Sequence, residues 1–168
     1  MQFDLKRFMQ NGQQPYKREL ECELSEYDWP DYKPQEPIQA VFEAVPTRQG
    51  VDLLLSVDAV VDAMCARCLE PVMKSFSFKR EWNLRAEDLE DEELELPISE
   101  NGKLDVDELV FEELVLEVPP TLLCSEDCQG LCPVCGKPKA AGCSCCQAGS
   151  EDAPADARLA ILRQLLNE

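Results

Sequence analysis

Histidine is missing from this chain of 168 residues, and that absence removes several chemistries at once. A Cys-His dyad and a Ser-His-Asp triad both need an imidazole to take and return a proton, so neither is available. No imidazole can complete a metal site either, and any zinc held here has an all-sulfur shell. Long apolar runs are missing too. None approaches the ~18 residues that cross a bilayer, and the opening MQFDLKRFMQNGQQ lacks the apolar core of a secretory signal. The expectation is a cytoplasmic protein with no membrane partner and no small-molecule substrate.

Positive charge is scarce in one region. Residues 87–117 carry fourteen acids and one base, Lys103, so they hold 13 of the 18 net negative charges. The flanking regions are nearly balanced. Such a field repels bare nucleic acid and favours a basic protein partner. Glu90, Asp91, Glu92, Glu93 and Glu95 are the candidate contacts, and a solvated loop is the plainer reading of the same residues.

Cysteine, by contrast, is abundant, with ten residues. In a reducing cytosol they do not form a disulfide framework, and metal binding is the leading account. Eight fall into short pairs: Cys65 and Cys68, Cys124 and Cys128, Cys132 and Cys135, and Cys143 and Cys145. A turn between two close cysteines aims both sulfurs at one ion, and tetrahedral zinc takes two such halves. Four pairs therefore make two structural zinc sites. The CPVCG turn at 132–136 is the most specific, because proline and glycine let the backbone fold tightly around an ion. Cys146 competes with Cys145 as a ligand, and Cys22 reads as an ordinary buried thiol.

Alternation organises the first part of the chain. Ile38, Ala40, Phe42 and Ala44, then Val51 through Ala63 at odd positions, predict two strands with one apolar face. After Pro71 the even positions Phe76, Phe78, Trp82 and Leu84 continue the pattern, which puts Cys65 and Cys68 at the turn of a hairpin, in a zinc-knuckle placement. Tyr16 to Leu24 supplies a further strand, and Tyr27 to Pro37 reads as an extended loop. Residues 86–104 read as a mobile acidic loop. Asp105 caps a helix whose apolar stripe is Val106, Leu109, Val110, Leu114 and Val118, and Pro119 and Pro120 end it.

Residues 121–146 have too little apolar surface to fold by burial, so metal must order them. Leu159, Leu162, Leu165 and Leu166 then mark a terminal helix. The expected class is α+β, an antiparallel sheet (meander or partly open barrel) with one packed helix, a Cys-rich zinc-bound segment and a terminal helix. The expected domains are 1–120 and 121–168.

The segments CARCLEP at 65–71, LEVPP at 116–120, CSEDCQGLCPVCG at 124–136, and Asp156 with Arg158-Leu159-Ala160-Ile161-Leu162 resemble the YceD family in order and spacing. The resemblance implies a role in accumulation of large-subunit ribosomal RNA and in biogenesis of the large ribosomal subunit, without enzymatic activity. The partner it implies is a large-subunit ribosomal protein or a preribosomal particle. The chain departs from the family at Lys137–Ala141, where many relatives have an asparagine-rich turn, and at the extra Cys146.

Some relatives lack the CPVCG segment but keep the first CxxC and the cysteines after the prolines. This implies one site from Cys65, Cys68, Cys124 and Cys128 and a second from Cys132, Cys135, Cys143 and Cys145. A contiguous site from Cys124, Cys128, Cys132 and Cys135 closes shorter loops and stays open as the alternative.

Two other functions compete. Direct binding to ribosomal RNA would use Lys74, Lys79, Arg80 and Arg85, with Arg67 at the hairpin tip and Trp82 for stacking. Alternation turns the aromatics toward the core and argues against it. A thiol redox or metal-handling protein would need an exposed thiolate of low pKa near a helix start, whereas Cys65 and Cys68 follow a strand.

Overall fold

The computed structural model describes residues 1–90 and 94–142. They divide into two compact units, Met1–Cys65 with Glu70–Cys124, and Ala66–Leu69 with the residues from Ser125 onward.

The first unit is built on an antiparallel sheet whose central strand is β5 (Gly50–Met64). Its fifteen residues pair along their full length with β6 (Pro71–Arg85), from Gly50 opposite Arg85 to Met64 opposite Pro71. On its other edge β5 pairs first with β4 (Ile38–Pro46) and then with the short β3 (Tyr32–Pro34). β2 (Tyr16–Cys22) completes the sheet against β4.

The alternation read from the sequence holds. Val51, Leu53, Leu55, Val57, Ala59 and Val61 are buried together with Ile38, Ala40, Phe42 and Ala44. On β6 the odd positions are exposed, while Phe78 and Leu84 are buried and Phe76 and Trp82 pack partly buried on the core. Side chains on one face of a strand recur every second residue, so a single apolar periodicity fixes which face meets the helix layer. The Tyr27 to Pro37 segment is more structured than a loop, because Tyr32–Pro34 adds the β3 ladder to β5.

That layer is α2 (Val106–Glu117). The Asp105 carboxylate accepts a hydrogen bond from the Asp107 N–H at 3.1 Å, satisfying one of the donors a helix start leaves open. Val106, Leu109, Val110 and Leu114 are buried, as the helical spacing requires. Each such burial contributes about 1.5–3 kcal/mol. Val118 leaves the helix in extended geometry just before the two prolines. Arg80 of β6 reaches across to α2, donating to Glu113 at 2.9 Å and to Glu117 at 2.8 Å, with its guanidinium 5.1 Å from the Phe78 ring centre.

Two features go beyond the sequence reading. β1 (Gln2–Asp4) pairs antiparallel with β7 (Lys103–Asp105), and α1 (Leu5–Asn11) follows it, capped by Asp4 accepting from the Arg7 N–H. Phe3 and Leu5 enter the core. The described residues of the acidic stretch also carry local structure, where the sequence reads as a mobile loop. Residues 87–90 form a 3-10 turn, Ile98 bridges Leu104, and the Ser99 N–H donates to the Lys103 carbonyl at 2.8 Å. Leu94, Leu96 and Ile98 pack on the core from alternate positions, and this short period anchors residues 94–98.

Candidate metal centre

The hairpin of β5 and β6 turns at Cys65-Ala66-Arg67-Cys68-Leu69-Glu70. The Cys65 N–H donates to the Glu70 carbonyl at 2.8 Å, and Leu69 adopts a positive φ of 59°. In the second unit Cys132-Pro133-Val134-Cys135-Gly136-Lys137 repeats this geometry. The Cys132 N–H donates to the Lys137 carbonyl at 2.8 Å, and Gly136 has a φ of 69°. Both turns close over the same number of residues and place a left-handed residue directly after the second cysteine. That conformation suits glycine and is uncommon for leucine.

The Val134 N–H lies 3.4 Å from the Cys132 Sγ and donates to it. This is the backbone support a thiolate needs.

Within the second unit Arg67 holds the 125–128 segment. Its guanidinium donates to the Cys128 carbonyl at 3.0 Å and to the Glu126 carbonyl at 3.4 Å. Gly130, at φ 72°, passes so close that a Cβ there would sit 3.0 Å from the Arg67 carbonyl oxygen. Arg67, expected as a partner contact, is thus engaged with backbone carbonyls of its own chain.

The Sγ atoms of Cys65, Cys68, Cys124 and Cys128 all lie within 4.8 Å of one another. Four sulfurs around one zinc at 2.3 Å stand about 3.8 Å apart in a tetrahedron. The four residues fit a metal ion of that size. Cys65 and Cys68 are buried, Cys128 is half-buried and Cys124 is exposed. This is one of the two groupings the sequence left open, and Cys132 and Cys135 stand outside it. Cys132 is itself buried and Cys135 exposed. Cys143, Cys145, Cys146 and the terminal helix expected over 156–167 lie outside the described residues. Cys22 is buried in the core, and burial pushes its thiol pKa up.

Two of the five acidic candidates are among the described residues. Glu90 closes the 3-10 turn, Asp91, Glu92 and Glu93 lie outside the described residues, and Glu95 borders a groove of about 770 Å³ along α2. The sequence read Glu108 only as a capping-box partner of Asp105 and assigned no binding role to Glu108, Glu112 or Leu116, which line that groove. Their spacing of four, which stacks them on one helix face, was the available signal. Of the bases considered for RNA, Arg80 is held by Glu113 and Glu117, and Arg85 pairs with Glu87 at 3.2 Å.

Among the described residues no helix is long and apolar enough to cross a membrane. The family described as large ribosomal RNA subunit accumulation protein YceD matches residues 53–166. Uncharacterized proteins of Mycobacterium tuberculosis, strain H37Rv, and of Mycobacterium bovis are each 32% identical to it over 98 residues, covering 55% of this chain and 46% of theirs. The chain thus spans about half the length of the curated relatives it matches. No solved structure matches it.

Proposed function

The chain belongs to the YceD family, and from that premise we propose that it is a non-enzymatic factor for 23S rRNA accumulation and biogenesis of the large ribosomal subunit. It acts in the cytoplasm by binding a basic ribosomal protein or a preribosomal particle. The observation that carries the binding mode is the concentration of fourteen acids against one base in residues 87–117. A field of one sign speeds encounter with a basic partner and repels exposed RNA. Such a factor keeps a basic protein from premature contact with RNA.

Metal belongs to the architecture in this reading. Cys65, Cys68, Cys124 and Cys128 take one structural zinc, and Cys132 and Cys135 take a second with Cys143 and Cys145. The mutual distances of the first four sulfurs support the first site. The matched closure of the two CxxC turns supports the second, since the same backbone aims its sulfurs in the same way. All-sulfur tetrahedral ligation also suits iron, and elemental analysis distinguishes the two metals.

The test is recovery of the tagged full chain from cytosol at low and moderate salt, with metal content measured on the same sample. Large-subunit proteins or precursor RNA should co-purify, with about two zinc ions per chain. A preparation carrying neither ribosomal components nor metal would sink both halves of the proposal. A salt-sensitive shift of protein-free ribosomal RNA by the purified chain would replace the protein partner with RNA.

A further inference from the structure

The groove along α2 has a floor and a rim of different character. Trp82 of β6, Leu96 and Phe111 give it an apolar floor, and Leu116 stands at one end with 75% of its surface exposed. Phe111 is fixed from behind, stacked on Tyr27 at 4.6 Å and edge-on to Trp29 at 4.8 Å. The rim carries Glu95 on one wall and Glu108 and Glu112 on the other, all exposed, and among the described residues no lysine or arginine lines it. Glu113 also borders the groove, but Arg80 neutralises it.

We infer that this groove docks a lysine- and arginine-rich protein segment carrying large apolar anchors. The inference deepens the proposed function by naming where a basic partner sits, and it rests on that reading for the partner's identity.

Charge complementarity selects the occupant. Three carboxylates with no ion pair among the described residues, set around an apolar floor, repel nucleic acid and an acidic peptide, while a purely apolar segment leaves the rim unmatched. A segment with cations spaced to the rim and one or two large side chains on the floor satisfies both. Glu108 and Glu112 are also one helical turn apart, a like-charge arrangement that weakens a helix by itself and that a bound cation relieves. Although the Glu112 residue is exposed, partial desolvation of its carboxyl raises its pKa, with Glu108 and Glu113 adding to the effect, so this side chain gains from a cation beside it. The span from Glu108 to Leu116 is about 12 Å of helix, enough for two turns of a docked helix.

The probe is a fluorescent fourteen-residue peptide of lysine and leucine, with the leucines at helical spacing, titrated into the full chain and followed by anisotropy. A second peptide replaces every leucine by serine at the same charge. The leucine peptide should bind at least tenfold more tightly than the serine peptide. Glu108→Gln with Glu112→Gln should cost at least tenfold and flatten the salt dependence, and Leu116→Ser should cost a comparable factor.

Asp58→Asn with Glu81→Gln, on the outer face of the sheet, should change little. Circular dichroism confirms that each variant is folded. Equal binding of the two peptides, or equal loss from the outer-face variant, would overturn the inference in favour of diffuse attraction to an acidic surface. A gain in affinity on changing Leu159 and Leu162 to serine would overturn it in favour of the chain's own C-terminal segment. The two proposals fail separately. Ribosomal components that still co-purify with the Glu108→Gln, Glu112→Gln variant would end the groove assignment alone, and tight peptide binding without ribosomal components in the pull-down would end the ribosomal reading alone.

Discussion

Leu114 and Leu116 stand two residues apart on α2 and have opposite fates, the first fully buried and the second 75% exposed. Truncating Leu114 to alanine leaves a cavity in the helix-sheet layer and should cost about 3 kcal/mol. The same change at Leu116 should stay within about 0.5 kcal/mol. Urea unfolding of both variants measures the contrast, and similar losses would mean that the helix presents a different face to the sheet.

Glu112 carries a second residue-scale consequence. Its folded-state pKa is raised, mainly by burial and then by Glu108 and Glu113. Between the ordinary carboxylate value and the raised one the folded state holds the proton more tightly, so stability falls as pH rises through that interval and stays reduced above it. Glu112→Gln should therefore raise the thermal midpoint at pH 7, and the gain should shrink as the pH falls toward 4.5. Melting curves at both ends of the range decide this, and a gain independent of pH would point to packing instead.

At this scale the sequence was legible wherever a period ran long enough. Every member of the stripe Val106, Leu109, Val110, Leu114 and Val118 is buried. The partners of Arg80 were not legible: its even position on β6 places it on the apolar face, but the two glutamates that hold it lie on a helix more than thirty residues away.

Between elements, Arg80 is the polar tie from β6 to α2. Part of its side chain is exposed and Glu117 is partly exposed, so solvent screening reduces what the pairs contribute. Arg80→Gln should destabilise by about 1 kcal/mol at low salt and by less in 0.5 M sodium chloride. A loss indifferent to salt would assign the effect to its packing over Phe78.

The CxxC turns make a separate prediction. Cys65→Ser should remove one metal ion per chain, Cys132→Ser a different one, and the double variant both, as read by elemental analysis. Retention of full metal by Cys65→Ser would return the ligand set to the contiguous arrangement of Cys124, Cys128, Cys132 and Cys135. Spacing could sort the cysteines into pairs but could not say which pairs meet, because that is a distance across the fold. β1 and α1 escaped for another reason: three and seven residues are too short for any period to emerge, and the partner of β1 lies far along the chain.

For the whole molecule, a net charge of −18 outweighs any single ion pair. Repulsion among like charges opposes the compact state at low ionic strength and is screened over about 10 Å at 0.1 M salt. Raising sodium chloride from 0.01 to 0.3 M should therefore raise the thermal midpoint by about 3 °C, even though it weakens the Arg80 pairs. A midpoint that falls instead would show that local ion pairs outweigh the collective field.

The ladder of β1 with β7 bears on the order in which the chain assembles. The β5–β6 hairpin joins neighbours in sequence and can zip as soon as residue 85 is available, whereas Gln2 must wait for Asp105. Closing so long a loop has an entropic cost that is recovered only when Phe3 and Leu5 reach the core. On a translating ribosome, Gln2–Asp4 therefore wait for about a hundred later residues before they settle. Until the α2 region emerges, the apolar face of the finished hairpin stands uncovered, and this is the interval in which a nascent chain most needs protection from aggregation.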